Sequence, residues 1–140
     1  MKLALGTAQF GLDYGLSNTS GQVKIPEVKS ILEEAKKYNI DTLDTAIAYG
    51  NSESVLGEIG VDKFNVVTKL PPIPKDISDI DLWVNNQVKS SFKKMHVNSV
   101  SGLLLHKSSD LLESSKSLMD PFKRTISRLH ELTSADYNYL

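Results

Sequence analysis

Several features are missing from the sequence, and each absence excludes a class of protein. There is no cysteine, so disulfide bonds, thiolate metal sites and cysteine nucleophiles are excluded. No run of about 18 apolar residues occurs, and we therefore expect no transmembrane helix. The apolar run at the N-terminus is shorter than the core of a signal peptide, which needs about 7–15 residues. These absences together predict a cytoplasmic protein that does not enter a membrane.

An excess of positive charge is also missing. Lysine and arginine number 16, aspartate and glutamate number 17, and the formal net charge is −1. This balance argues against nucleic acid or a membrane surface as a partner. The chain has 140 residues, of which 40% are hydrophobic. Its size and composition are those of one globular domain with one core.

The sequence does contain a regular alternation of short apolar runs and helical patterns. Strands are predicted at residues 2–5, 41–44, 64–69 and 100–106, and helices at residues 25–38, 52–59, 82–95 and 111–119. Apolar strands that alternate with helices indicate an α/β fold with a parallel sheet covered by helical crossovers. Two architectures fit this order: an open doubly wound sheet and a part of a (β/α)8 barrel.

Ionisable residues stand at the ends of three predicted strands. These residues are Asp44, Lys69 and His106, and Tyr49 follows Asp44 in the next loop. Taken singly, each has an ordinary structural explanation, such as a turn, a surface lysine or a locally hydrogen-bonded histidine. The carboxyl ends of parallel strands, however, form the ligand-binding side of α/β folds. The four residues together therefore predict a site.

The chemistry of these four side chains suggests a common purpose. A free tyrosine has a pKa of about 10, which is too high for an efficient acid at neutral pH. A neighbouring ammonium lowers the pKa of a tyrosine, and a carboxylate keeps that ammonium charged. A histidine opposite them could donate a hydrogen bond to a substrate carbonyl. Such a group of residues delivers a proton to a carbonyl oxygen, and the missing hydride implies a nicotinamide cofactor.

One segment carries a resemblance to a known family. Residues 44–57 read DTAIAYGNSESVLG and closely resemble the signature of the aldo-keto reductases. The opening LGTAQFG, residues 5–11, is similar to the first strand and loop of that family. VVTK at residues 66–69 and LLLH at residues 103–106 resemble its third and fourth strands. The resemblance covers about residues 2–119.

The resemblance implies a reductase of aldehydes and ketones that uses NADPH, or sometimes NADH, and needs no metal. Tyr49 would then be the proton donor, Lys69 and Asp44 would tune it, and His106 would orient a small-molecule carbonyl substrate. The residues implied in cofactor binding are Gly6, Thr7, Ala8 and Asp44. Glu53 is expected to serve the fold, in the first turn of a helix that Asn51 or Ser52 caps.

The length of the chain modifies the expected fold. A complete (β/α)8 barrel needs about 250 residues, whereas this sequence has 140. We therefore expect a TIM-barrel-derived half-barrel of four βα units, (βα)4, with parallel strands in residues 1–119. Residues 120–140 are expected to form a divergent tail, which is helical by the spacing of its apolar residues.

Three functions and two assemblies remain open at this point. The chain could be a reductase that needs a second half, a non-catalytic half-barrel that assembles or binds a partner, or an inactive remnant. A half-barrel leaves its first and fourth strands as edges, and edges are templates for pairing with another chain. Its inward side chains, expected at Leu3, Leu43, Val67 and Leu104 or their immediate neighbours, would lose their covering layer. We expect a homodimer, with a monomer covered by the tail as the alternative.

Overall fold

The computed structural model describes residues 3–110 of the chain. The strands are β1 (Ala4–Gly6), β2 (Thr42–Asp44), β3 (Asn65–Leu70) and β4 (Gly102–Leu105). The helices are α1 (Ala8–Gly11), α2 (Ile25–Lys37), α3 (Ser52–Ile59) and α4 (Ile80–Met95). All predicted elements within this range are present, and the short helix α1 was not predicted. The predicted helix at residues 111–119 and the tail at 120–140 lie outside the described residues.

The four strands form one parallel sheet in the order β1-β2-β3-β4. This order is the order of the chain, without the reversal that creates the central crevice of a doubly wound sheet. Sequential parallel strands with helical crossovers are the arrangement of a (β/α)8 barrel. The structure therefore confirms the predicted half-barrel of four parallel strands with helical crossovers, and it decides between the two architectures that the sequence allowed.

One face of the sheet is covered by the helices and holds the core. Leu43 is fully buried and belongs to the same cluster as Val28 and Leu32 of α2 and Leu56 of α3. A second cluster joins residues of β3 and β4 to α4; its buried members are Leu70, Val84, Val88, Phe92 and Leu103. The strands β2, β3 and β4 are thus anchored to the helices through their alternate residues.

The other face of the sheet is uncovered within the described residues. Register places Gly6, Asp44 and Val67 beside one another on this face, and Lys69 beside Leu104. Of the residues expected to point inward, Val67 and Leu104 lie on this face, whereas Leu43 packs against the helices and its immediate neighbour Asp44 takes the inward position. The inner face therefore carries fewer apolar side chains than the sequence suggested.

The helix termini follow simple local chemistry. Pro26 lies in the first turn of α2, where the missing N–H of proline breaks no helical hydrogen bond. Asp79 caps α4 by accepting a hydrogen bond from the backbone N–H of Leu82 over 2.9 Å. His96 ends α4 in the left-handed conformation with φ of 55°.

Helices α3 and α4 approach closely at one glycine. A Cβ atom added at Gly57 would lie 2.1 Å from the backbone oxygen of Lys94. Only a residue without a side chain allows the two backbones to meet in this way. Among residues 3–110, no helix is both long and apolar enough to cross a membrane.

Candidate active site

The four predicted catalytic residues gather at the carboxyl end of the sheet. Asp44 is the last residue of β2, Lys69 is the penultimate residue of β3, and His106 directly follows β4. Tyr49 lies in the turn between β2 and α3. The parallel direction of the strands brings these positions to one rim, as the sequence predicted.

Asp44 and Lys69 form an ion pair at the centre of this group. The Lys69 ammonium donates a hydrogen bond to the Asp44 carboxylate and another, of 2.9 Å, to the backbone oxygen of Thr45. The side chain of Lys69 is 15% exposed and that of Asp44 is 43% exposed. The positive charge is thus held largely out of solvent, where its electrostatic effect on neighbours is less screened.

Tyr49 lies between the lysine and the histidine. The Lys69 Nζ atom is 5.1 Å from the centroid of the Tyr49 ring, within the range of a cation–π contact. The rings of Tyr49 and His106 meet edge to face, with centroids 5.8 Å apart and an interplanar angle of 81°. One aromatic ring therefore contacts both a cation and an imidazole.

The position of Tyr49 depends on a tight crossing of two backbone segments. The Tyr49 backbone N–H donates to Ala46 and its backbone oxygen accepts from Ser52, each over 3.0 Å. A Cβ atom at Gly11 would lie 1.9 Å from that same oxygen of Tyr49. Gly50 follows with φ of +56°, a conformation that favours glycine. The glycines of α1 and of the turn thus let the first loop lie directly against the tyrosine segment.

The three consecutive residues implied in cofactor binding at the end of β1 lie in different environments. A Cβ atom at Gly6 would meet no heavy atom within 4 Å, so the space beside Asp44 is open there. Thr7 is fully buried, and both its backbone N–H and its hydroxyl donate to the backbone oxygen of Asp44, over 3.0 and 3.2 Å. Ala8 begins α1. Thr7 therefore fastens the loop to the end of β2, and Gly6 leaves room above it.

Sequence reasoning missed a set of buried polar contacts beneath this site. Asn51 precedes α3 without capping it through its side chain. The hydroxyl of Ser52 is turned toward Thr7 and Thr45 instead. Glu53 is 2% exposed, and its carboxylate accepts from Thr68 and Ser91 rather than serving the end of its own helix. The family-like motif contained Ser52 and Glu53, but no periodicity shows that a motif residue is buried.

Within residues 3–110, no three histidine, aspartate or glutamate side chains lie close enough together to hold a metal ion. The polar groups of the site are instead one ion pair, one phenol and one imidazole. This set is suited to proton transfer and to hydrogen bonding of an oxygen atom.

The fold and the position of the site define the class of protein. Parallel strands in chain order, with ionisable residues at their carboxyl ends, are characteristic of (β/α)8-barrel enzymes. The model of the aldo/keto reductase family matches residues 2–134. The chain therefore belongs to the aldo/keto reductase family. The matched range continues beyond residue 119, where the resemblance recognised in the sequence ended.

Solved structures agree with this assignment. A protein from Pseudomonas aeruginosa described as an aldo-keto reductase superposes with a TM-score of 0.70 and 26% identity, over 86% of this chain and 49% of that one. The holo form of an aldo-keto reductase from Bacillus halodurans superposes with a TM-score of 0.67 and 16% identity, over 91% of this chain and 42% of that one. The second likeness shows the fold alone. No curated protein sequence matches the chain.

The chain corresponds to only part of each of these relatives. The chain spans about half the length of the solved structures that it resembles. Its described strands correspond to one side of a barrel, and the candidate catalytic residues all lie on that side.

Proposed function

We propose that this chain carries the proton-donating residues of an NAD(P)H-dependent reductase of aldehydes and ketones. The observation that supports this most directly is the Asp44–Lys69 ion pair beside Tyr49, with the ring of His106 on the same tyrosine. The roles follow from the chemistry of each group. Tyr49 gives its proton to the carbonyl oxygen, and His106 donates a hydrogen bond that orients that oxygen.

Lys69 and Asp44 act on the tyrosine in this proposal. The Lys69 ammonium stabilises the negative charge that remains on the Tyr49 oxygen once the proton has left. The Lys69 side chain has little solvent around it, and a charge in such a place is costly without a partner. The Asp44 carboxylate is that partner, and it holds the ammonium in place. The pair is formed without substrate, so the positive charge does not need to reorganise during the reaction.

The residues at the end of β1 fit the nicotinamide end of the cofactor. When bound, NADPH or NADH supplies the hydride that no side chain can provide. The open space at Gly6, next to Asp44 in the register of the sheet, leaves room for a ribose and the nicotinamide ring attached to it. We assign Gly6, Ala8 and Asp44 to the cofactor, and Thr7 to the loop that carries them. The absence of cysteine is consistent with the cytoplasm, where we place this reaction.

Replacement of the tyrosine by phenylalanine tests the proposed reaction. Tyr49→Phe keeps the ring beside Lys69 and His106 but removes the transferable proton. We expect the rate of NADPH oxidation with a reactive small aldehyde to fall about 10²–10⁴-fold, the usual contribution of a general acid. Tyr38→Phe is the matched control, because Tyr38 is 71% exposed on the surface.

Two results would contradict the reductase proposal. Equal rates for Tyr49→Phe and the unsubstituted chain would remove Tyr49 from the reaction. A chain that neither binds NADPH nor reduces any aldehyde would favour a non-catalytic half-barrel or an inactive remnant.

The sheet edges support a second candidate role, which is assembly. In the described sheet, β1 and β4 each have a single neighbour. We propose that a second copy of the chain pairs with these edges, so that β1 of one copy lies beside β4 of the other. A two-fold axis along the barrel would generate both junctions at once.

A further inference from the structure

The first two residues of α3 are polar, fully buried and outside the proposed catalytic set. Ser52 is 0% exposed and Glu53 is 2% exposed. Buried polar groups are costly unless they are hydrogen-bonded, and buried carboxylates especially so. Two such residues in succession, directly after the turn that carries Tyr49, call for a physical explanation.

Ser52 joins the first two loops at the carboxyl end of the sheet. Its hydroxyl lies 3.0 Å from both the backbone oxygen and the hydroxyl of Thr7, and 3.3 Å from the hydroxyl of Thr45. Thr7 is itself bonded to the backbone oxygen of Asp44. Ser52 thus connects the start of α3 to the loop after β1 and to the end of β2.

Glu53 joins the same helix to the next βα unit. One oxygen of its carboxylate, Oε1, accepts from the hydroxyl of Thr68 over 2.8 Å and from that of Ser91 over 2.6 Å. The other oxygen, Oε2, is buried and has no hydrogen-bond partner among the described residues. A purely structural position would be filled at lower cost by an apolar side chain of similar volume. What this carboxylate supplies and an apolar side chain would not is the pair of hydrogen bonds that it accepts.

The two anchored segments are the ones that carry the proposed catalytic groups. The backbone N–H of Ser52 donates to the backbone oxygen of Tyr49 over 3.0 Å. Thr68, the partner of Glu53, immediately precedes Lys69 on β3. The Glu53–Thr68 hydrogen bond therefore ties the helix that follows Tyr49 to the strand of Lys69, in addition to the backbone hydrogen bond of 3.2 Å from the N–H of Ile47 to the oxygen of Lys69. The strand β4, which leads into His106, pairs with β3 along these same residues.

We propose that Ser52 and Glu53 are positioning residues that set the distances from Tyr49 to Lys69 and to His106. The inference rests on the proposed function for its catalytic meaning, but the geometry that it concerns can be measured without turnover. Glu53 acts through Thr68 and Ser91, and Ser52 acts through Thr7 and Thr45. Neither residue touches the substrate or the cofactor in this proposal.

A pair of substitutions at Glu53 separates the hydrogen bonds from the packing. Glu53→Gln keeps an acceptor for Thr68 and Ser91, whereas Glu53→Met fills a similar volume without one. The readout is the chemical shift of the His106 ring protons, which the nearby edge-to-face ring of Tyr49 changes through its ring current. The part of the shift that is due to Tyr49 is identified as the part that Tyr49→Leu removes. We expect Glu53→Met to lose this ring-current shift and Glu53→Gln to retain it.

A stability control and an activity readout complete the test. Val55→Ala lies on the same helix in the core; it should lower the stability to urea but keep the ring-current shift. In the NADPH assay, Glu53→Met should lower kcat and leave the KM for the aldehyde unchanged. The proposal is overturned if Glu53→Met keeps the ring-current shift, or if Val55→Ala loses it equally.

A second substitution serves if Glu53→Met does not fold. Thr68→Val has nearly the shape of threonine and removes one of the two donors to Glu53. We expect it to fold and to lose part of the same ring-current shift. An unchanged shift in Thr68→Val would refute the role of this hydrogen bond. Because the shift is measured without cofactor, a chain that proves inactive but shows these results would contradict the proposed function and not the positioning role.

Discussion

Three consecutive residues at the end of β1 have separate tasks, although the family-like motif presents them as one loop. Thr7 is buried and fastens the loop to the backbone of Asp44. Gly6 has no neighbour where a side chain would begin, and Ala8 starts α1. At Gly6 the structure therefore shows open space and no packing contact that would require a glycine.

Substitution of this glycine separates stability from cofactor binding. Gly6 has no positive φ and an added methyl group would meet nothing in the chain. We expect Gly6→Ala to leave the free energy of unfolding in urea unchanged or to raise it by up to about 1 kcal/mol, because alanine restricts the unfolded chain. The same methyl group would weaken NADPH binding about 10–200-fold, the usual effect of one misplaced methyl in a fitted pocket.

Fluorescence titration with NADPH measures that binding. Unchanged affinity in Gly6→Ala would mean that the cofactor does not lie over the end of β1. A large loss of stability would show instead that the open space closes in solution.

At the scale of elements, the sequence predicted each unit that has a strong local signal. The apolar spacing of Val28, Leu32 and Ala35 located α2 within one residue of its observed end. The strand ending in Lys69 was recognised from its β-branched residues, and the structure extends it by one residue to Leu70. Helix α1 was missed because its four residues, the last of which is Gly11, are too few to show a helical period.

The direction of side chains was harder to predict than the elements. Asp41–Asp44 contains one apolar residue, Leu43, and a three-residue strand offers too few alternations to tell its two faces apart. The four ionisable residues could be found because strand direction alone brings them to one rim. The contacts of Ser52 and Glu53 could not, since they join residues far apart in the sequence, such as Glu53 and Ser91.

The close approach of α3 and α4 leads to a prediction at this scale. Gly57→Ala would place a methyl group 2.1 Å from the backbone oxygen of Lys94, so one helix must move. We expect a loss of about 1–3 kcal/mol in the free energy of unfolding, the range for overpacked interiors. Ser54→Ala on the exposed side of α3 is the control, and it should be neutral or slightly stabilising. Urea denaturation of both variants measures the difference; equal midpoints would mean that the two helices separate at little cost.

At the scale of the whole molecule, one face of the sheet is buried against the helices, and the other, uncovered face carries both charged and apolar side chains. The uncovered face carries Asp44, Lys69 and Gly6 beside Val67 and Leu104, and Leu104 is 48% exposed. This composition weakens the purely hydrophobic argument for a homodimer that the sequence suggested. The unpaired strand edges, however, retain their backbone donors and acceptors, and these still support the proposed pairing.

A charge placed on this face tests the proposed homodimer. We expect the unsubstituted chain to sediment as a dimer at micromolar concentration. Leu104→Lys adds a cation to the uncovered face, beside Lys69 in the register of the sheet. A second copy that closes over this face would bury the added charge, and this cost should shift the chain to monomer. Leu82→Lys is the matched control on α4, where Leu82 is 57% exposed, and it should remain a dimer. A monomeric unsubstituted chain would contradict the pairing of edges.

The strands lie in the sheet in the same order as in the chain, and this order matters for folding during synthesis. Each strand of the described sheet after the first pairs with a strand that has already left the ribosome. Because chains emerge N-terminus first, β2 can dock on β1, then β3 on β2, without waiting for a later segment. The Asp44–Lys69 pair forms when the third strand docks, and the ring of His106 reaches Tyr49 only with the fourth. Docking in this order would assemble the candidate active site in steps, and His106 would join it with β4, the last of the described strands.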